Sequence, residues 1–329
     1  MNDLKIKHSK VLVTGGAGFI GSNIIESLLN QDNYIVCLDN FSTGYIENVK
    51  IFFENSNFLL IEGDIRDIEI CRNAVKGVDY VLHQAALGSV PRSIDDPKST
   101  NDVNIGGFIN MLIAAKDEKV KRFVYAASSS TYGDNADLPK VEHEIGNPLS
   151  PYAITKYVNE LYAGMFTKLY DIETVGLRYF NVFGPKQDKN GAYAAVIPKF
   201  IDSLLNKKSP VINGDGSNTR DFTYIENVII ANQQAALIEN KNAIGEVFNI
   251  ACNKNITLNK LFDILKIEIS QFLPEVSGIK PINKEARKGD VLHSLASVEK
   301  AGSFLNYQPV IHVEEGLKKT VKWFIEHSK

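Results

Sequence analysis

Cysteine is scarce in this sequence, with three residues in 329, at Cys37, Cys71 and Cys252. They are far apart and odd in number, and they lack both the CxxC spacing of a zinc or redox site and the density of a disulfide-rich secreted domain. The histidines are equally scattered, and His83, at the end of an apolar run, is interpreted as structural. We therefore predict reduced, mostly buried thiols and no metal site.

Long apolar runs and an excess of one charge are also missing. No segment reaches the about 18 uninterrupted apolar residues of a membrane-spanning helix, and VLVTGGAGFIG near the polar N-terminus is short and broken by glycine. Basic residues number 36 and acidic residues 39, so the formal net charge is -3 and no broad basic surface for nucleic acid is expected. We expect a cytoplasmic protein with neither a membrane nor a nucleic-acid partner.

The first half of the chain alternates short apolar runs with helical stretches. The runs lie at 11–15, 34–40, 58–65, 80–86, 122–129 and 174–180, and the helical stretches at 19–30, 67–76, 97–118 and 151–170. This alternation predicts a doubly wound parallel α/β sheet of the Rossmann type. It weakens after residue 181, which predicts a first domain over 1–180 and a smaller α/β substrate-binding lobe over 181–329, with a soft boundary that lets a strand of the lobe join the main sheet.

A glycine-rich segment, TGGAGFIGS, follows the first predicted strand and opens the first predicted helix. Gly15, Gly18 and Gly21 let the backbone approach a pyrophosphate, whose charge is met by N–H groups at the positive end of the helix. The spacing is GxxGxxG rather than GxGxxG, but Asp39 ends the next strand about 20 residues on, as a dinucleotide site requires. A carboxylate there binds both ribose hydroxyls of NAD and repels the extra phosphate of NADP, so we predict NAD.

Further NAD contacts are predicted at the carboxyl ends of the strands, where ligands of such sheets bind. Asp64 in GDIRD is a candidate for the adenine amino group, with Ile65 against the ring; the alternative is that Asp64 caps the following helix. The predicted set is completed by Phe19, Ile20, Asn40, Gln84, Ala85, Ala86, Tyr152, Lys156 and Tyr179.

Tyr152 and Lys156 stand four residues apart in SPYAITKYVNE, which places them on one face of a helix. Tyrosine is a poor base at neutral pH because its pKa in solution is about 10, but a nearby ammonium and a positive nicotinamide ring would both favour the phenolate. A second cluster, AASSSTYG, ends a predicted strand with Ser128, Ser129 and Ser130. A polar turn is the simpler alternative to a catalytic role for these serines.

Six segments occur in a fixed order along the chain: TGGAGFIG, HQAA, SSSTYG, YAITK, LRYFNVFGP and RKGD. In these the chain resembles the extended short-chain dehydrogenase/reductase family over essentially its whole length. Within that family it is most similar to nucleotide-sugar 4-epimerases, and to the UDP-N-acetylglucosamine 4-epimerase branch in ALGSVPRS, AASSSTYGD and GAYAAVIPK.

The resemblance implies a mechanism. The Tyr152 phenolate takes the proton of the sugar 4-hydroxyl while hydride passes to tightly bound NAD, Ser128 stabilises the sugar oxygen, and Lys156 holds the ribose and the tyrosine. Related 4,6-dehydratases carry Asp and Glu at the next two positions, so Ser129 and Ser130 disfavour dehydration.

The resemblance also implies a UDP-sugar site. Asn181 would bind a phosphate or sugar oxygen, Arg220 and Arg287 the diphosphate through their paired bonds, and Asp290 the uridine ribose. The uracil side would be lined by Val211, Ile212, Asn213, Ala195, Val196 and Phe200, and the sugar by Gly88, Ser89, Ser128, Ser129, Ser130, Tyr152, Asn181, Ala195 and Ser294. Ser294 takes the place of a bulky tyrosine in epimerases restricted to glucose and galactose, and Ala195 often that of an asparagine. These small side chains leave room for a 2-acetamido group.

Members of this family form homodimers through the helices that match 97–118 and 151–170, so a homodimer is expected. Two other functions stay open: a UDP-uronic acid 4-epimerase with Arg92 binding the carboxylate, and a non-catalytic cofactor-binding regulatory protein. The intact Ser128, Tyr152 and Lys156 argue against the latter, although a fold alone does not settle function. Asn104 either orders a water near the proton path or packs its helix.

Overall fold

The computed structural model describes residues 4–189, 195–285 and 292–327. The strands are β1 (Lys10–Thr14), β2 (Tyr34–Asp39), β3 (Phe58–Glu62), β4 (Tyr80–His83), β5 (Arg122–Ser128), β6 (Thr174–Tyr179), β7 (Val182–Phe183), β8 (Val211–Asn213), β9 (Thr219–Asp221), β10 (Thr223–Tyr224), β11 (Val247–Ile250), β12 (Asn255–Thr257) and β13 (Ile282–Lys284). The α-helices are α1 (Phe19–Leu29), α2 (Ile68–Ala74), α3 (Val90–Asp95), α4 (Pro97–Asn101), α5 (Phe108–Glu118), α6 (Pro151–Tyr170), α7 (Val196–Leu205), α8 (Ile225–Leu237), α9 (Leu258–Ser270), α10 (Glu299–Leu305) and α11 (Val313–Glu326). Among these helices, none is long and apolar enough to cross a membrane.

The main sheet is parallel throughout, with the strand order β3-β2-β1-β4-β5-β6-β11 in the described residues. Val11 and Val13 of β1 join a core that contains α1 and α8, whereas Leu12 between them joins a second core with α2, α5 and α6. Successive side chains of a strand point to opposite faces, so helices cover both faces of the sheet. The predicted doubly wound parallel fold is confirmed.

The order of the strands reverses at β1, which lies between β2 and β4. In open α/β sheets a crevice forms at the carboxyl ends of the strands beside such a reversal. Gly15 follows β1, Asp39 ends β2 and Gln84 follows β4. The fold therefore brings three of the predicted cofactor residues to one crevice.

The C-terminal half contributes to the main sheet and to smaller sheets. β11 pairs in parallel with β6, so one main-sheet strand comes from the part of the chain assigned to the second lobe. The pairs β7–β10, β9–β12 and β8–β13 pack near α7, α9 and α11, with Phe183 edge-on to both Phe222 and Tyr224. The division into domains at residue 180 stays a prediction.

The predicted helix over 97–118 is three helical segments in the structure. Asp96 caps α4, and a π-helical turn at Asp102–Gly107 joins α4 to α5. A π turn places one extra residue in the helix and shifts the face that follows it. The sequence also gave no sign of α3, whose first turn is capped by the Ser89 hydroxyl.

Candidate active site

The loop after β1 contains close backbone approaches that only glycine permits. Gly15 has a φ of +65°, and a Cβ there would lie 2.7 Å from the backbone nitrogen of Ala85. A Cβ on Gly21 would overlap the carbonyl oxygen of Gly15. α1 begins after Gly18 without a capping side chain among the described residues, so its first N–H groups and its positive end face an approaching anion. This cradle fits the pyrophosphate of NAD.

Asp39 fastens the glycine loop to the end of β2. Its carboxylate accepts hydrogen bonds from the backbone nitrogen of Ala17 at 2.9 Å and from that of Phe41 at 2.8 Å. Burial raises the pKa of Asp39, and the hydrogen bonds that its carboxylate accepts from backbone N–H groups oppose this rise. Each carboxylate oxygen has a second lone pair, so the group keeps capacity for ribose hydroxyls.

A cleft of about 470 Å³ lies over these groups. Of the residues predicted to bind NAD, those in its wall are Gly15, Gly18, Phe19, Ile20, Gly21, Asp39, Asn40, Asp64, Ile65, Gln84, Ala85 and Ala86. Among the described residues, Tyr152, Lys156 and Tyr179 do not form part of this wall. The cleft also has Gly88, Ser89 and Ala195 in its wall, three of the residues predicted to surround the sugar.

Ser128 and Tyr152 lie near each other where β5 ends and α6 begins, and the Ser128 hydroxyl acts to lower the pKa of Tyr152. The Ser128 oxygen accepts from the backbone nitrogen of Ser130 at 3.1 Å and from its hydroxyl at 2.9 Å. Since Ser130 supplies both of those donors, the proton of Ser128 is left to point at Tyr152 or at a ligand. Ser150 caps α6 one residue before Pro151, which fixes the start of the helix that carries Tyr152.

Burial shifts the pKa values of both residues predicted to be reactive on α6. Burial raises the pKa of Tyr152, and the nearby Ser128 hydroxyl opposes this rise. Burial lowers the pKa of Lys156 to about 8, and the charge of Glu160, one helical turn further on, opposes this fall. The Lys156 ammonium donates to the carbonyl of Ala126 at 2.8 Å and lies 6.0 Å from the centre of the Tyr152 ring. Desolvation therefore raises the pKa of Tyr152 in the protein by itself, and the stabilisation of its phenolate by the ammonium and the nicotinamide ring stays a prediction.

A second cavity of about 280 Å³ adjoins the cleft. The predicted substrate residues in its wall are Asn181, Ala195, Val196, Phe200, Val211, Ile212, Asn213 and Arg220. Ala195 belongs to the walls of both cavities, so it lies where they meet. The Arg220 guanidinium donates to the carbonyls of Thr219 and Leu292, which holds it at the mouth of this cavity.

Residues 11–251 match the model of the NAD dependent epimerase/dehydratase family. The chain belongs to this family. It is also similar to a UDP-N-acetylglucosamine 4-epimerase from Methanobrevibacter ruminantium M1, whose structure is in complex with UDP-N-acetylmuramic acid. The two chains are 40% identical, with a TM-score of 0.90 over 98% of this chain and 99% of the other.

Two further structures match the present chain over almost their full length. A UDP-glucose 4-epimerase from Thermotoga maritima with UDP-glucose is 36% identical, with a TM-score of 0.88 over 97% of this chain and 100% of the other. A UDP-glucuronic acid 4-epimerase from Bacillus cereus, in complex with UDP-glucuronic acid and NAD, is 30% identical, with a TM-score of 0.84 over 96% and 99%. The predictions of the family, of NAD as cofactor and of an NAD-dependent UDP-sugar 4-epimerase, an isomerase, are confirmed.

Asp64 of the epimerase is not the cap of the helix that follows it. Asp67 caps α2 instead, by accepting from the backbone nitrogens of Glu69 and Ile70. Arg66 clamps the Asp64 carboxylate with two bonds, at 3.0 and 2.7 Å, and lowers its pKa to about 2. Asp64 therefore stays ionised in the cleft wall. The signal for this in GDIRD is Arg66, two residues after Asp64, and the sequence analysis missed it.

Asn104 ties the loop after β4 to α6. Its side-chain oxygen accepts from the backbone nitrogen of Leu87 at 2.8 Å, and its amide nitrogen donates to the Thr155 hydroxyl at 3.1 Å and to the Leu87 carbonyl at 3.3 Å. These bonds use both N–H groups of the amide and one acceptor position of its oxygen, which favours the packing interpretation of Asn104. By holding Leu87, Asn104 fixes one side of the cleft wall.

Other side chains of the cleft escaped the sequence interpretation because they lie in irregular loops. Ser42 and Thr43 follow β2, and Gln187 and Asp188 follow β7. Gln187 belongs to the walls of both cavities. The Tyr45 hydroxyl donates to Asp188 at 2.9 Å, so the two loops are joined at the rim of the cleft.

Several predicted residues lie elsewhere than in the two cavity walls. Ser129 and Ser130 form a 3-10 turn with Tyr132, and Ser294 pairs its backbone nitrogen with the Thr219 carbonyl. Arg287 and Asp290 lie outside the described residues. His83 bonds to the Thr14 hydroxyl and stacks on Phe123, and burial lowers its pKa to about 3, so it is a neutral core residue.

Proposed function

We propose that this epimerase interconverts UDP-N-acetylglucosamine and UDP-N-acetylgalactosamine, with some activity on UDP-glucose and UDP-galactose. The observation that carries the proposal is the space where the two cavities meet. Ala195 lines both of them, and a Cβ added at Gly88 would meet no atom of the described residues within 4 Å. A 2-acetamido group is larger than a hydroxyl and needs such room. The 40% identical UDP-N-acetylglucosamine 4-epimerase supports the proposal.

The second cavity suits the UDP part of the substrate. Phe200 and Phe222 give it apolar walls for the faces of uracil, and Asn213 adds a side chain that both donates and accepts. The Arg220 guanidinium is held by two carbonyls in the wall of this cavity, and its planar fork of donors suits a diphosphate. Arg287 and Asp290 keep their proposed contacts to diphosphate and ribose from the family resemblance alone.

The cleft suits NAD, with the glycine loop on the pyrophosphate, Asp39 on a ribose, and Asp64 with Ile65 at the adenine. NAD held there would supply the reversible hydride chemistry that a 4-epimerase needs at sugar C4, with no net redox change. The protein must therefore keep the cofactor and the oxidised sugar inside one closed site. The hydrogen bond between Tyr45 and Asp188, which joins two loops at the rim of the cleft, favours this retention.

Proton transfer falls to the pair formed by Ser128 and Tyr152. Ser130 occupies two acceptor positions of Ser128, so the Ser128 hydroxyl donates to the phenolate of Tyr152 or to the sugar 4-oxygen. Tyr152 then takes the proton of the sugar hydroxyl and gives it back when the other face is reduced. Lys156, fixed by the Ala126 carbonyl, supplies the positive charge beside them.

A UDP-uronic acid is the second candidate substrate. Arg92 lies in the wall of the cleft beside Gly88 and Ser89, near the proposed sugar position, and a guanidinium there can bind a carboxylate. The 30% identical UDP-glucuronic acid 4-epimerase from Bacillus cereus supports this alternative. Turnover of a uronic acid substrate separates it from the main proposal.

A homodimer is proposed from α6. Ile154, Leu161, Met165 and Leu169 are all about half exposed in the isolated chain, at 51%, 53%, 48% and 61%. Their spacing places them along one side of the helix, away from the face that packs on the sheet. An exposed apolar stripe of this length marks a surface that is covered in the working protein, and a second copy of α6 would cover it.

The proposed substrate is tested by enlarging side chains around the sugar. Ala195→Asn should abolish turnover of the N-acetylated sugars and spare UDP-glucose, because the added bulk fills the space where the two cavities meet. Ser294→Tyr should do the same, since the family resemblance places Ser294 beside the sugar. Ser294→Ala is the matched control and should leave both activities in place. Unchanged turnover of both sugars in Ser294→Tyr and Ala195→Asn would contradict the proposal.

A further inference from the structure

Three polar side chains, of which two are buried and one is half-buried, form a closed ring of hydrogen bonds next to the cofactor cleft. Asn232 on α8 donates to the Tyr179 hydroxyl at 2.9 Å, Tyr179 donates to the side-chain oxygen of Gln84 at 3.2 Å, and Gln84 donates to the side-chain oxygen of Asn232 at 3.2 Å. We call these three residues the polar ring. Gln84 is its one member in the wall of the cleft formed by the described residues.

The direction of every bond in the polar ring is set by Asn232. The second hydrogen of its amide nitrogen donates to the Val228 carbonyl at 2.8 Å, one turn earlier in α8. The amide of Asn232 cannot turn over without losing the bond to Val228, because a carbonyl oxygen accepts hydrogen bonds and cannot donate them. Its oxygen is therefore fixed towards Gln84, and the Gln84 amide nitrogen is fixed towards Asn232.

This arrangement decides what Gln84 offers to the cleft. Its oxygen is bonded to the Tyr179 hydroxyl and one of its N–H groups to Asn232, which leaves the other N–H as its one remaining donor. An N–H binds an acceptor oxygen, such as those of the ribose, the pyrophosphate or the carboxamide of NAD. A Gln84 amide in the opposite orientation would offer an acceptor and repel the same atoms.

We propose that Asn232 is a positioning residue for NAD, which acts through Gln84 by fixing the amide so that an N–H group faces the cofactor. The proposal rests on the proposed contact between Gln84 and NAD. Asn232 is fully buried and lies 148 residues from Gln84 in the chain, and nothing in its sequence neighbourhood indicates a link to the cofactor.

The test is the rate at which NAD leaves the purified holoprotein. Released NAD is converted by alcohol dehydrogenase and ethanol to NADH, whose fluorescence reports the release. Asn232→Ala frees the Gln84 amide, and we expect NAD release about tenfold faster, the effect of losing one well-placed hydrogen bond. Tyr179→Phe removes the two bonds of the ring that the Tyr179 hydroxyl makes and keeps the aromatic side chain in place, so it should also accelerate release. If Asn232→Ala does not fold, the release rate of Tyr179→Phe tests the proposal in its place.

Asn227 provides the matched control, because it is also a fully buried asparagine on α8. It bonds to the backbone of Val310 and Ile311 and not to Gln84. Asn227→Ala should lower the urea midpoint of unfolding as Asn232→Ala does, but leave NAD release unchanged. Equal acceleration in the two variants would reduce Asn232 to a structural role and overturn the proposal.

Gln84→Leu separates this inference from the contact on which it rests. Faster NAD release in Gln84→Leu, together with faster release in Asn232→Ala, supports both. Faster release in Gln84→Leu with unchanged release in Asn232→Ala and Tyr179→Phe overturns the role of Asn232 alone. Unchanged release in Gln84→Leu overturns the contact between Gln84 and NAD, and the positioning role with it.

Discussion

Single residues on α6 show how burial and chemistry oppose each other in this protein. The sequence placed Tyr152 and Lys156 on one helical face, and the structure adds that Lys156 is 3% exposed. Its ammonium is kept out of water and is compensated by the Ala126 carbonyl and by the charge of Glu160. A buried charge of this kind lowers the stability of the fold, so packing does not explain why Lys156 is present. Its place in the site does.

The cost of the buried ammonium predicts a pH dependence of stability. The pKa of Lys156 is about 8 in the folded protein, whereas its ordinary value is 10.5. Between these two pH values the unfolded chain therefore binds more protons than the folded protein. The free energy of unfolding of the wild type should therefore rise with pH in this window, relative to Lys156→Met, by up to about 1.4 kcal/mol per pH unit. Below the window the difference between the two proteins should be constant.

Urea unfolding of wild type and Lys156→Met, both freed of NAD, measures this difference from about pH 7 to about pH 10. A difference that does not change with pH would contradict the buried charge at Lys156.

At the scale of whole elements, α6 serves the site with one face and exposes another. Its first turns carry Tyr152 and Lys156, and later turns bury Asn159, Glu160 and Ala163 against the rest of the molecule. Glu160 pairs with Arg178 of β6 at 2.7 Å in the interior, which locks the helix against the sheet. The opposite side of α6 carries the exposed apolar stripe of the proposed dimer.

The stripe on α6 predicts what a charge would do there. Leu161→Glu should convert the dimer to a monomer, because burying an unpaired carboxylate in an apolar interface costs several kcal/mol. Ile267→Glu on α9 is the control, since Ile267 is equally exposed, at 58%, but lies on another surface. Sedimentation equilibrium gives the mass of each variant. A wild type that is already monomeric, or a Leu161→Glu variant that stays dimeric, would contradict the proposed interface.

At the scale of the whole molecule, the sequence predicted those features that are decided by neighbours in the chain. The glycine loop and Asp39 were found because a strand, a tight turn and a helix follow one another within a short segment. The polar ring was not found, because Asn232 and Gln84 meet only after α8 packs on the sheet. The π-helical turn before α5 and the place of Gln187 between the two cavities also depend on contacts that no local pattern records.

The central claim is the identity of the sugar, and the most direct measurement follows the anomeric proton signals of three substrates. The purified protein is incubated, without added NAD, with UDP-N-acetylglucosamine, UDP-glucose and UDP-glucuronic acid in separate samples. We predict that the galacto isomer appears mainly from the N-acetylated substrate, because Gly88 and Ala195 leave room for its acetamido group. Turnover of UDP-glucuronic acid alone, or of UDP-glucose with no reaction of the N-acetylated sugar, would contradict the claim.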